Sequence, residues 1–185
     1  MPFTTSLCQS VHQFTYRLNT SDNEDLPEGD KIKVCGSFQR GDDETGVWGI
    51  GMKRDLINSI THDFPIGPIM LVKPCGADHL TNHFILDGGN RARAIRDFVN
   101  GDFTIPCEDE NGSKTFKKFE DLSAEKRQKF LHTNLHLLEI RVHREDPLDT
   151  IARMFTNLNT KILPLTDGEL IKAHGWQGNI PIIEF

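Results

Sequence analysis

Apolar residues recur along this chain with two periods, and the switches between them mark its elements. Val11 to Leu18 alternates loosely and predicts a short strand. Asn19 to Lys31 is polar and acidic, holds Pro27 and Gly29, and reads as a loop. Ile32 to Gln39 predicts a second strand, followed by Arg40 and a Gly/Asp-rich turn up to Gly46. After Trp48, the segment Lys53 to His62 places Leu56, Ile57 and Ile60 on one helical face. Pro65, Gly67 and Pro68 punctuate the chain before a strand over Ile69 to Val72. The run Phe84-Ile85-Leu86 then leads through Asp87-Gly88-Gly89-Asn90-Arg91 into a helix over Ala92 to Val99, which Gly101 ends.

In the second half, Phe103 to Cys107 reads as a strand and Glu108 to Ser113 as a hairpin-like turn. Ser123 caps a helix running to about His132, and Leu135 to Val142 is the clearest strand there. Asp146-Pro147 has the look of an N-cap with proline at the first helical position. Leu148, Ile151, Ala152 and Phe155 form the stripe of the helix behind it. Thr166-Asp167-Gly168-Glu169 matches a capping box. The end at Phe185, after Pro181-Ile182-Ile183, carries no closing element and reads as a cut from something longer. Helices and strands are interspersed throughout, so the expected class is α+β or α/β and not a bundle or sandwich.

Size and charge narrow this only in part. A length of 185 residues suits one domain with a real core. The net charge of −6 argues against a protein that coats nucleic acid generically, without excluding a local basic groove. The four cysteines (Cys8, Cys35, Cys75 and Cys107) lie far apart, with neither zinc spacing nor a disulfide framework. They fit thiols in a reducing cytosol. No apolar run approaches the roughly 18 residues of a membrane span, and no signal peptide is visible, so a cytoplasmic (or nuclear) protein is expected.

The loop Asp87 to Arg91 carries the most chemistry. A strand feeding two glycines and a helix N-terminus is a recurrent phosphate cradle: glycines let the backbone approach the anion, and first-turn N–H groups have no intrahelical partner. At about 100° per residue, Ala92, Ala94, Ile95, Phe98 and Val99 spread around Arg91. Arg93 and Arg96 fall on the far side with Asp97 beyond them, which predicts a solvated face. Arg91 therefore points inward, where a guanidinium needs a partner. It either pairs with Asp87 or lines a pocket and grips an anion bidentately. Asp87 either caps the helix or acts as a catalytic or metal-binding group.

Three separated stretches resemble one family. They are Phe38-Gln39-Arg40 with Trp48 and Asp55 to Ile60, running on to Pro65 through Ile69; Ile85 to Ile95 with Phe98 and Gly101; and Met154 to Thr160 with Leu165-Thr166, Glu169-Leu170 and Ala173. In order and spacing they are similar to the N-terminal domain of GmrSD-type modification-dependent restriction enzymes, the domain of unknown function 262, within the ParB/sulfiredoxin-like superfamily. The resemblance implies an α+β fold with a ParB-like mixed sheet and flanking helices. It also implies a loop that binds and hydrolyses nucleotide, and DNA cleavage by a separate nuclease domain.

Carried onto this chain, the nucleotide loop is Asp87, Gly88 and Arg91, with Gly89 and Asn90 between. The upstream pair is Gln39 and Arg40, and the third motif supplies Asn159. The implied layout is an N-terminal strand and acidic loop over 1–31, a nucleotide-binding domain over 32–175 and a tail over 176–185. The family usually has two glutamines where Gly89 and Asn90 stand, and Gly89 cannot orient a water. The resemblance thus carries binding further than hydrolysis.

Other chemistry is thinner. His79 and His83, and His132 and His136, straddle predicted strand ends and suit satisfied histidines better than zinc ligands. Glu139-Ile140-Arg141 lacks the lysine of a nuclease core, and no cysteine in the loop supports a reductase. Trp48 reads as core or pocket lid. Arg40 either pairs with Asp42 or Asp43 or reaches the pocket. The expected function is binding of a nucleoside triphosphate, with Mg²⁺ at Asp87, and its hydrolysis in a DNA-processing or restriction-type system. Asp87 and Arg91 would be the catalytic pair. The alternative is a non-catalytic module that binds DNA or a partner protein; no membrane partner is expected.

Overall fold

A computed structural model describes residues 3–18, 25–27, 29–34, 48–75, 82–108, 113–142, 150–151 and 153–154. The elements run β1 (Phe3–Ser10), α1 (Val11–Leu18), β2 (Ile32–Lys33), α2 (Ile50–Thr61), β3 (Ile69–Pro74) and β4 (His83–Asp87). Then come α3 (Gly89–Val99), β5 (Ile105–Glu108), β6 (Lys114–Lys117), α4 (Ala124–His132) and β7 (Asn134–Val142). The class is α+β, as expected.

The first element corrects the sequence reading. Val11 to Leu18 is a helix, and the strand is the segment before it. Ser10 and Gln13 form a reciprocal capping box: the Gln13 N–H donates to Ser10 Oγ and the Ser10 N–H donates to Gln13 Oε1, both at 3.2 Å. Val11, Phe14, Thr15 and Leu18 are buried, the i, i+3, i+4, i+7 face of a helix. The expected helices before His62 and His132 are present. In the second, the Ser123 hydroxyl accepts from the Lys126 N–H at 3.3 Å. The strand expected over Ile32 to Gln39 is seen as Ile32–Lys33; Gln39 and the Gly/Asp turn lie outside the described residues, as do the caps at Asp146 and Thr166.

Five strands form one mixed sheet in the order β1-β7-β3-β4-β2, and β5 and β6 pair as a separate hairpin. Strands β7 and β3 are parallel, as are β4 and β2, while β1 with β7 and β3 with β4 are antiparallel. One face of the sheet, carrying Ile32, Ile69, Leu71, Ile85, Leu135 and Leu137, packs into the main core with the helices. The other face carries Val72, Leu86 and Val142 and is met by Ile151.

Helix α3 lies at the centre of the helical layer, against β3, α1 and α2. Its Phe98 meets the rings of Phe103, Phe119 and Phe130 at centroid distances of 5.4 to 5.7 Å, the last two edge-on. Truncating Phe98 to alanine removes the hub of this cluster. Urea denaturation of Phe98→Ala is expected to show a loss of about 3–5 kcal/mol with the slope unchanged; a loss below about 1 kcal/mol contradicts the placement.

Candidate functional site

The candidate site begins with a fault in the ladder. Met70 pairs with Asp87 but Leu71 pairs with Ile85, so Leu86 is an extra residue on β4. Such a bulge bends the strand and re-aims the residues beyond it. Gly88 then caps α3 in the left-handed conformation (φ 89°, ψ 15°), and as a glycine it offers no side-chain oxygen to the first turn. The first-turn N–H groups point along the helix axis beyond Gly88, where the dipole favours an anion.

Arg91 is held across this turn. Its Nη1 donates to the Ile66 carbonyl at 2.8 Å and its Nη2 to Asp87 Oδ2 at 3.2 Å. The carboxylate side chain is 47% exposed and the guanidinium 17%, so the ion pair has one open side, on Asp87. Two glycines with positive φ wall the guanidinium. A Cβ at Gly67 would lie 3.1 Å from Nη1, and one at Gly88 3.1 Å from Nη2 and 3.2 Å from Ile69 Cγ1. Of the two alternatives for Arg91, the structure shows the pairing with Asp87, beside a helix N-terminus.

The structure brings Asp87, Gly88, Gly89, Asn90 and Arg91 together. Gly89 is buried, and Asn90 is half-buried in the first turn. Gln39, Arg40 and Asn159 lie outside the described residues. Trp48 is half-buried against the main core. No group of three or more histidine, cysteine, aspartate or glutamate side chains suited to a metal occurs among the described residues. Asp87 alone can supply one carboxylate, with Oδ2 already taken by Arg91.

The solvated face expected for Arg93 and Arg96 is not found at Arg93, while the Arg96 side chain is partly exposed. Arg93 is fully buried, and the Asp97 carboxylate is buried too. Asp97 accepts from Arg96 at 2.7 and 3.0 Å and from Lys53 of α2 at 2.8 Å, tying α2 to α3. A helical wheel assigns one inward side, whereas α3 is covered from the sheet and from two flanking helices.

A second polar cluster, at the opposite end of β4, is not among the sequence expectations. His83 Nε2 and Glu139 Oε2 are 2.8 Å apart across β3, both side chains nearly inaccessible. Arg17 lies 3.2 Å from His83 Nδ1, and also donates to Gln9 Oε1 and to the Asp30 carbonyl. Because a guanidinium only donates, Nδ1 is the acceptor and the Nε2–H donates to Glu139. Arg141 donates to the other Glu139 oxygen at 2.6 Å.

Burial lowers the His83 pKa from 6.5, aided by Arg17 and Lys73 and opposed by Glu139, so the ring is held neutral. For Glu139, burial alone pushes upward from 4.5, but the hydrogen bonds from Arg141 and His83 outweigh it and hold the carboxyl below that value. The sequence did carry a signal: on β7, Leu135, Leu137 and Glu139 share the inward parity, and a carboxylate there requires cationic or N–H partners.

Substitution and pH both probe these two clusters. Gly88→Ala must adopt a left-handed conformation and displace the guanidinium or Ile69, so its melting temperature is expected to fall by the equivalent of about 1–2 kcal/mol; an unchanged melting temperature contradicts the cradle. Acid weakens the fold through both buried groups. His83 takes up a proton more readily when unfolded, so stability falls as pH drops below 6.5, and the Glu139 contribution is lost below 4.5 as the folded carboxyl titrates. Urea midpoints at about pH 7.5 and 5.5 should therefore differ, and the difference should shrink in His83→Gln, itself less stable by about 1–3 kcal/mol at the higher pH.

Comparison with known proteins matches the family model described as the GmrSD restriction endonuclease, N-terminal domain, over residues 24–176. No curated protein and no solved structure matches the chain. The matched span contains the bulged strand, the Gly88 turn and Arg91, and it covers most of the chain. This protein belongs to the GmrSD restriction endonuclease N-terminal domain family.

Proposed function

We propose that the loop from Asp87 to Arg91 binds the phosphates of a nucleoside triphosphate. The family is one of restriction and defence-type proteins, a natural setting for a DNA-linked nucleotide sensor. The observation that carries the reading is the left-handed Gly88 at the head of α3, beside a guanidinium whose partner Asp87 is half-exposed. The open turn receives phosphate oxygens, and Arg91 neutralises them by exchanging its Asp87 contact for a bidentate one. Strand β2 runs parallel to β4, so the chain at Lys33 heads toward the Asp87 end of the sheet. That direction suits the proposed roles of Gln39 and Arg40 at the phosphates, with Asn159 as a further contact.

A Mg²⁺ ion would be held by Asp87 through its open oxygen, with phosphate and water completing the shell, as suits this ion. Its chemistry when bound is to neutralise charge on the phosphates. A second reading, binding without turnover, is favoured by one feature: Gly89 is buried and has no side chain to position a water. In that reading the protein is a nucleotide-gated or DNA-binding module, and any cleavage lies with a nuclease domain or partner.

Titration of a labelled nucleoside triphosphate with Mg²⁺ against the parent and Arg91→Ala tests the proposal. Loss of a charge-assisted contact worth about 1.5–3 kcal/mol is expected to weaken binding by about ten- to a hundredfold. Equal binding by both proteins, or none by the parent, overturns it. Phosphate release measured with and without DNA separates turnover from binding alone.

A further inference from the structure

We propose that a groove across the C-terminal ends of α2 and α4 binds single-stranded DNA and delivers it toward the Arg91 turn. Two clefts, of about 590 and 700 Å³, meet at Lys129 and Thr133, which line both. The second cleft is also lined by Ile66 and Gly67, whose backbone holds and walls the Arg91 guanidinium, so this end of the groove lies beside the loop.

The groove's chemistry suits a phosphodiester chain with unpaired bases. The chain as a whole is acidic, yet residues 113–133 hold six Lys and Arg against three Asp and Glu. Lys126 and Lys129 of this stretch line the clefts. The acidic side chains facing them are Glu108, 3.6 Å from Lys114, and Asp63, 3.1 Å from Lys129, all well exposed. Such exposed pairs are weak and exchange readily for phosphate. His62 and His132 stand at the C-terminal ends of their helices, each with Nδ1 on its own i−4 carbonyl at 2.8 and 2.9 Å. A carbonyl only accepts, so Nδ1 carries a proton in each ring.

Phe64 supplies the stacking face. It is 60% exposed, and its ring stacks on His62 at 5.9 Å. The position is built: Asp63 takes the left-handed region at φ 59°, its N–H donates to the Ile60 carbonyl, and the Phe64 N–H donates to the Ser59 carbonyl at 2.8 Å. This double-bonded helix end fixes where Phe64 leaves the surface. An exposed aromatic in the cleft that Lys129 lines, next to the one lined by Lys114 and Lys126, suits bases that are splayed, not paired. DNA is the nucleic acid with which a restriction-type family deals.

The test is fluorescence anisotropy of the intact chain with a dye-labelled single strand of about 12 nucleotides, within the usual range of such sites, at low salt. Saturable binding is expected, with affinity falling linearly in log salt. The double variant Lys126→Glu/Lys129→Glu should bind at least about tenfold more weakly and with a shallower salt slope, while Lys33→Glu, on the exposed edge of the sheet, should bind like the parent. Phe64→Ala should lose about fivefold or more. Should that variant melt early, Phe64→Leu keeps an apolar side chain without the ring and should show the same loss. No binding by the parent, equal binding by the groove variants, an equal loss in Lys33→Glu, or tighter binding of the matching duplex overturns the proposal. None of these variants touches Asp87 or Arg91, so nucleotide binding measured alongside fails or stands separately.

Discussion

Helix α3 is covered on three sides, and most of the molecule is arranged around that constraint. The sheet lies beneath it, α1 and α2 flank it, and the aromatic rings of Phe103, Phe119 and Phe130 close on Phe98. A helix so enclosed must satisfy every charge it carries within the fold. Asp97 does so by receiving Arg96 and Lys53, which also fastens α2. The chain enters the N-terminus of α3 through a bulge and a glycine, so no side chain caps its first turn. That uncapped end of α3, beside the half-exposed Asp87 carboxylate, is also the end whose dipole favours an anion.

The Arg91 clamp sets the energy balance of the proposed anion binding. In the unliganded fold the guanidinium already has the Ile66 carbonyl and the Asp87 carboxylate. An incoming phosphate gains only the difference between its own contacts and the Asp87 contact it replaces, since both are charge-assisted bonds of similar kind. In the proposed binding Asp87 would be released in the same event, coupling anion binding to the freeing of a carboxylate. At Gly67 and Gly88 a side chain would meet a strained positive-φ backbone and would crowd the guanidinium at 3.1 Å.

Much of this is legible in the residues. Ser123 and the alternation of Leu135 and Leu137 place α4 and β7 nearly to the residue. The run before Asp87 and the glycines after it locate the strand-to-helix turn. The N-terminal strand and helix escape the pattern because Val11 to Leu18 also fits a loose period of two, although Ser10 and Gln13 spell a capping box in the residues themselves. Arg93 is misplaced for a different reason. A wheel knows the angle between side chains but not how many neighbours surround a helix, and three-sided burial is a property of topology. The left-handed turn at Asp63 is equally invisible, since a glycine is the residue that ordinarily signals it.

The two ends of β4 illustrate how one strand separates holding from acting. His83 to Asp87 spans four residue steps, about 13 Å at the usual strand rise. At the His83 end, a neutral imidazole receives Arg17 and donates to Glu139, linking helix α1 to the sheet across β3. Both ring nitrogens are committed, so the end is rigid. At the Asp87 end the ladder is broken by Leu86, and the carboxylate is half-exposed. A bulge is tolerable there because the strand is already fixed at its other end and by the burial of Ile85 and Leu86 on opposite faces of the sheet. The buried histidine network thus holds one end of β4, and the irregular turn lies at the other, where the ligand is proposed to bind.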